Sequence, residues 1–147
     1  MTGLKAVVLA GLVCGVLDLI CAAALFRLVG GSFERLLQFI ASGAFGESAF
    51  KSGKGSAAAG CLLHFSIAFV AAAVYYATSR SLPFLVSHAF ACGILYGVII
   101  HLFMSFVVIP LSRTPKRKFS ASSFLSQLVV HMFVVGLSIS LVVRHFS

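Results

Sequence analysis

The sequence predicts an all-α integral membrane protein, a four-helix bundle with a short amphipathic interfacial helix between helices 1 and 2. Of its 147 residues, 61% are hydrophobic and 10% are charged, a composition outside that of soluble domains. Residues 57–78, 89–111 and 121–143 contain no Asp, Glu, Lys or Arg, and each run is long enough to cross a bilayer as a helix. Residues 4–26 form a fourth run despite Lys5 and Asp18. Strands would need alternating polarity, which these runs lack.

The chain is expected to form a single transmembrane domain, with spans at about residues 4–28, 57–78, 86–110 and 121–143. The segment 32–50, in loop 1 between the first two spans, is too polar to cross. Its apolar residues recur at helical spacing opposite its polar ones, so we expect a short helix lying at the membrane interface, with a re-entrant segment as the less favoured alternative. Ser32 is a plausible N-cap. Gly43 and Gly46 are expected to end this helix, and helix 3 is expected to stop at Pro110.

The net charge of +8 is distributed unevenly over the connections. Eight of the eleven Lys and Arg residues lie in or beside loop 1 and loop 3, the connection between helices 3 and 4, and three lie on the other side. This bias predicts a multi-pass protein of the bacterial inner membrane with loops 1 and 3 cytoplasmic and both termini outside. We expect the basic residues of loop 3 to contact anionic lipid headgroups: Arg113, Lys116, Arg117 and Lys118. No folded reading element accompanies them, so no nucleic-acid partner is expected.

Each predicted span carries a polar residue well inside its apolar run. We expect these residues to face the bundle interior in one intramembrane layer: Asp18, His64, His101, Gln127 and His131. Small residues share their helix faces, and Gly11-x-x-x-Gly15 and Gly93-x-x-x-Gly97 have the spacing that allows helix backbones to approach closely.

This layer is compatible with several functions. The leading hypothesis is a small permeation or transport protein, acting alone or as a homo-oligomer, in which Asp18 and a histidine carry protons or an ion. A second is a non-catalytic subunit or assembly factor of a larger membrane complex. A third is a b-type haem protein with histidine ligands. The polar residues could instead fix helix register. A zinc or copper site has little support, because closely spaced ligands are absent, and no metal is assigned.

No catalytic residue is identified, because the sequence contains no nucleophile elbow, zinc-protease motif, phosphate loop or dinucleotide fingerprint. Enzymatic activity is therefore not expected. The polar residues of loop 1 are interpreted as interfacial: Arg35, Gln38, Ser42 and Glu47. The tyrosines near the outer ends of helices 2 and 3 are interpreted as interface anchors: Tyr75, Tyr76 and Tyr96.

Several stretches together resemble small, uncharacterised four-helix inner-membrane proteins of bacteria. They are Leu17-Asp18, the segment 36–43 (LLQFIASG), the segment 63–68 (LHFSIA), Tyr96-Gly97 and the segment 108–112 (VIPLS). The resemblance covers the first three quarters of the chain. It implies a four-helix membrane fold and offers no established activity to carry over.

Overall fold

The computed structural model describes residues 2–116 and 118–147, and this part of the chain is helical without β-strands. Four helices are long and apolar enough to cross a membrane, which confirms the predicted all-α fold class. The elements are labelled in chain order: α1, Thr2–Leu28; α2, Phe33–Phe45; α3, Gly53–Ser81; α4, Phe84–Ser87; α5, Ala89–Leu111; α6, Ala121–His145. A 3₁₀ turn, Gly46–Phe50, lies between α2 and α3.

The four long helices are arranged in the order α3, α1, α6, α5, each packed against the next. The two outer members, α3 and α5, meet where the Tyr96 hydroxyl donates a hydrogen bond to the Ala71 carbonyl at 2.7 Å. The Tyr75 and Tyr96 rings are also in contact there, with centroids 4.9 Å apart. Tyr75 was expected at the lipid interface, but it is 2% exposed. It is a core residue because its hydroxyl reaches a buried acceptor, the Leu85 carbonyl at 3.1 Å.

Loops 1 and 3 lie at the same end of the bundle, which we call the basic end. The Arg113 backbone N–H, in loop 3, donates to the Gly43 carbonyl of α2 at 3.0 Å. The start of α1, the end of α6 and α4 lie at the opposite end, which we call the terminal end. At the centre, α1 presents Ala10 and Cys14 to Ile139 and Val143 of α6, and these residues form the buried core together with others from α3.

The amphipathic segment of loop 1 folds as predicted at its start and ends later than predicted. The Ser32 side chain caps α2 by accepting from the Arg35 backbone N–H at 3.2 Å. The prediction that Gly43 interrupts the helix is wrong, because α2 continues to Phe45. The helix ends at Gly46, whose φ of 64° is a left-handed conformation that glycine adopts without a Cβ clash.

Helix α2 packs on α3 so closely that only glycine fits at the crossing. A Cβ built at Gly60 would overlap the Leu37 carbonyl oxygen and lie 2.8 Å from the Leu37 carbonyl carbon. The helix is therefore held between α3 and loop 3.

Two of the long helices contain a π-helical turn. In α5 it spans Met104–Val108, and the helix then continues through Pro110 to Leu111 rather than stopping at the proline. Proline has no N–H for the carbonyl four residues back, and its ring crowds the preceding turn, so a locally widened turn accommodates it. In α6 the π turn spans His131–Gly136 and contains no proline. Turns of this kind are frequent at functional sites.

Candidate functional site

The crossing of α5 and α6 brings two helix backbones into direct contact. A Cβ built at Gly97 would lie 2.6 Å from the His131 carbonyl carbon and 2.7 Å from the Met132 Cα. A Cβ at Gly136 would lie 2.8 Å from the Gly97 Cα. The predicted close approach at Gly93-x-x-x-Gly97 is therefore confirmed, and its partner is the π turn of α6.

Two of the predicted layer residues meet at this crossing. The His101 and His131 rings have their centroids 5.0 Å apart and their planes inclined by 57°. On its other side, the His101 ring lies against Phe124, with centroids 4.6 Å apart. His101 is 4% exposed, whereas His131 is half-buried.

The hydrogen bonding of the two imidazoles leaves nitrogen atoms available. His131 Nδ1 lies 2.8 Å from the Gln127 carbonyl oxygen. Because a carbonyl oxygen only accepts, Nδ1 carries the hydrogen, and Nε2 of the neutral ring carries a lone pair. Gln127 thus contributes its backbone carbonyl to the site. His101 Nε2 is buried and has no hydrogen-bond partner among the described residues.

Asp18 lies at a different helix interface. Its side chain is half-buried, and its Oδ1 is buried without a hydrogen-bond partner in the described part of the chain. One turn away on α1, the Cys14 side chain interacts with both Asp18 and Ser138 of α6. The carboxylate is therefore positioned on the α1/α6 side of the bundle.

His64 connects α3 to α1. Its Nε2–H donates to the Gly15 carbonyl at 2.9 Å. Gly15 and Gly11 let α3 approach, because a Cβ at Gly15 would lie 2.7 Å from Phe65 and one at Gly11 would lie 3.1 Å from the Phe69 Cα. His64 is thus the member of the layer whose geometry fits a packing role.

The predicted layer is distributed over three helix interfaces. His64 lies between α1 and α3, Asp18 on the side of α1 near α6, and His101 with His131 between α5 and α6. Within the described residues, no three His, Cys, Asp or Glu side chains converge as a metal-binding group. The four ligands of a structural zinc site are accordingly not assembled there.

The haem alternative can be tested against the His101–His131 pair. An iron held by both imidazoles would place its macrocycle between α5 and α6. The backbones of these helices touch at Gly97 and Gly136, so there is no slot of that width. The pair does not fit a haem.

The interfacial residues of α2 form a local polar network. Gln38 is 5% exposed; its amide donates to Glu34 at 3.4 Å and to the Gly53 carbonyl at 3.2 Å. Arg35 donates to the Gln38 side-chain oxygen and to the Phe50 carbonyl, both at 3.3 Å, and its guanidinium lies over the Phe50 ring.

The remaining interfacial residues differ in exposure. Ser42 is fully buried and donates to the Phe39 carbonyl at 2.6 Å, whereas Glu47 is exposed. Gln38 thus joins α2 to the start of α3, the Ser42 bond is internal to α2, and only part of the predicted set faces outward.

In loop 3, the expected lipid-contacting residues Arg113, Lys116 and Lys118 are exposed. The expectation for Arg117 lies outside the described residues.

Three participants in the site were not predicted from the sequence: Cys14, Phe124 and Gly136. Phe124 and Cys14 are indistinguishable in the sequence from other apolar core residues. Gly136 also lacks a signal, because five residues after His131 is about 140° around an ideal helix, and it is not part of a paired-glycine motif.

Comparisons with protein-family models, with curated proteins and with solved structures find no match for this chain.

Proposed function

We propose that the chain moves protons across the membrane, with Asp18 and the His101–His131 pair as proton-binding groups. One observation carries the proposal. In the described part of the chain, the buried side-chain nitrogen and oxygen atoms that lack a hydrogen-bond partner are Asp18 Oδ1 and His101 Nε2. Both belong to residues that the sequence places inside the apolar runs.

The cost of these unpaired atoms supports a functional role over a purely structural one. Leaving a buried polar group unsatisfied costs roughly 1–3 kcal/mol. Residues kept only for helix register are expected to be paired, as His64 is with the Gly15 carbonyl. A carboxylate oxygen and an imidazole nitrogen without a hydrogen-bond partner are available to accept and release protons, and ionisable groups at this depth mark proton relays in membrane proteins.

The charge distribution supports an orientation for the proposed transport protein. With eight basic residues at loops 1 and 3, we place the protein in the bacterial inner membrane with its basic end in the cytoplasm. Fusion of a reporter to each loop and terminus tests this orientation.

The decisive experiment is proton flux in proteoliposomes that contain a pH-sensitive dye, under an imposed potential. Asp18→Asn and His101→Gln should each abolish the flux above empty liposomes. His88→Gln is the matched control and should retain it, because His88 is an exposed histidine outside the bundle interior. Wild-type flux no greater than that of empty liposomes, or full flux in both interior variants, would refute the proposal.

A stability measurement separates loss of function from loss of folding. Because Asp18 Oδ1 makes no hydrogen bond, replacing the carboxylate by the isosteric amide should leave the free energy of unfolding unchanged or raise it. A destabilised Asp18→Asn protein would instead indicate a structural role for this residue.

A second candidate is a subunit of an oligomer or larger membrane complex, and the exposure of α5 favours it. This helix packs mainly against α6. Its other side exposes large apolar residues: Phe90, Leu95, Ile99, Phe103 and Phe106. Single-cysteine substitutions at Leu95 and Ile99, in a background without the natural cysteines, should form cross-links to a second chain or a partner. Monomeric, uncross-linked protein would argue against this candidate.

A further inference from the structure

A groove runs along the outside of the bundle at the terminal end, between α1 and α6. Its volume is about 390 Å³, within the roughly 300–1,000 Å³ of ligand pockets. The lining residues are Leu9, Val13, Leu141, Val142, His145 and Phe146. The fully buried alanines Ala6 and Ala10 let α1 approach its neighbours closely. The larger side chains that line the groove lie outside this close contact.

The groove is apolar along its length and polar at its terminal end. The His145 ring contacts the Phe146 ring edge-on, with centroids 5.0 Å apart and an interplanar angle of 87°. Lys5 is exposed and precedes Leu9 by one helical turn, so it shares a face of α1 with Leu9 and Val13. A cation and a ring N–H donor therefore stand above an apolar channel.

The charged side chains of this end are all positive. The three acidic residues of the chain are Asp18, Glu34 and Glu47. Asp18 lies inside α1, and the other two lie at the basic end. No side-chain carboxylate therefore competes for Lys5 or for the exposed Arg144.

We propose that this groove binds one anionic phospholipid. An acyl chain lies along Leu9, Val13 and Leu141, and the phosphate lies beside Lys5 and His145. The charge of the rim selects an anionic headgroup over a zwitterionic one, because each cation near an anionic lipid surface favours binding. This site is separate from the proton-binding groups and from the basic residues of loop 3.

The test is native mass spectrometry of the delipidated full chain, supplied with phosphatidylglycerol and phosphatidylcholine of identical acyl chains. The wild type should retain phosphatidylglycerol in preference. The double variant Lys5→Gln/His145→Gln should lose roughly fivefold of that preference, the effect of one cation at an anionic surface. Leu9→Trp, which fills the groove, should reduce the binding of both lipids. Leu12→Trp is its matched control and should bind as the wild type does, because Leu12 is exposed on α1 and does not line the groove.

Three outcomes would overturn the proposal. One is equal retention of the two lipids by the wild type. Another is a preference for phosphatidylglycerol that the double variant Lys5→Gln/His145→Gln retains and a loop 3 variant loses. That loop 3 variant is Arg113→Gln/Lys116→Gln/Lys118→Gln, and this result would assign the selectivity to loop 3. The third is displacement of the lipid by inorganic phosphate, which would mean that the acyl groove contributes nothing.

Discussion

Gly97→Ala is the sharpest test of the packing that holds the two histidines together. The new methyl group would meet backbone atoms, which cannot rotate away as a side chain can. It would lie 2.6 Å from the His131 carbonyl carbon and 2.7 Å from the Met132 Cα, whereas carbon atoms in favourable contact are roughly 3.5–4.0 Å apart. The two helices must therefore separate by about 1 Å at this point.

The expected cost follows from that separation. Overpacking a close-packed site typically costs about 1–3 kcal/mol, and a gap of this size forfeits up to about half of the contact energy of the facing atoms. We expect Gly97→Ala to lower the free energy of unfolding by roughly 2 kcal/mol. The contact between the His101 and His131 rings should also weaken.

The assay is reversible unfolding in mixed micelles, with Gly55→Ala as the matched control. A Cβ at Gly55 has nothing within 4 Å, and alanine is the better helix former by up to about 1 kcal/mol, so this control should be neutral or stabilising. In the double variant Gly97→Ala/Gly136→Ala, the free energy of unfolding should fall by less than the sum of the decreases in the two single variants. The reason is that the first substitution already separates the helices. An unfolding free energy of Gly97→Ala equal to that of the wild type would show that α5 and α6 are not in backbone contact.

Two further substitutions test the other contacts that define the bundle. Gly60→Ala places a methyl group against the Leu37 carbonyl, so it should lower the free energy of unfolding by roughly 1–3 kcal/mol. It should also accelerate proteolysis within α2, and an unchanged cleavage rate would contradict the packing of α2 on α3. Tyr96→Phe removes the hydrogen bond to the Ala71 carbonyl and should cost about 0.6 kcal/mol in unfolding, the average for such bonds in membranes. Tyr76→Phe is its control. An equal decrease in unfolding free energy in both variants would show that the hydrogen bond of the Tyr96 hydroxyl makes no contribution of its own.

The architecture could be predicted from the sequence because the membrane restricts the possibilities. An uncharged run the length of 57–78 can only be a buried or spanning helix, and in lipid it must be helical throughout. The paired glycines of α5 likewise indicated a close crossing. The details that were wrong are local: α2 passes through Gly43 and α5 passes through Pro110. In both cases tertiary contacts, or a widened turn, outweigh an intrinsic preference of about 1–3 kcal/mol.

The candidate site was less predictable. Helical periodicity shows which residues share one face of a helix, but it does not show which other helix packs against that face. The sequence places Asp18, His64, His101 and His131 on small-residue faces, but nothing in it states that α1 lies next to α6 while α3 and α5 are on the outside. That order puts His131 against His101 and joins His64 to α1. The π turn at His131 has no proline or other strong sequence signal, so it could not be predicted either.

The arrangement assigns a central position to α6 in the proposed proton movement. It is the helix that packs against both α1, which carries Asp18, and α5, which carries His101. On α6, Ser138 lies beside Cys14 of α1, and His131 lies beside His101 of α5. Ser138 and His131 are seven residues apart, which is about 10 Å along a helix. That interval contains the π turn, where the backbone hydrogen bonds depart from the α pattern. Asp18 lies one turn beyond Cys14 towards the basic end, the direction in which His131 lies from Ser138, so the carboxylate is level with this turn. A change in the π turn should therefore alter the coupling of the two groups without touching either of them.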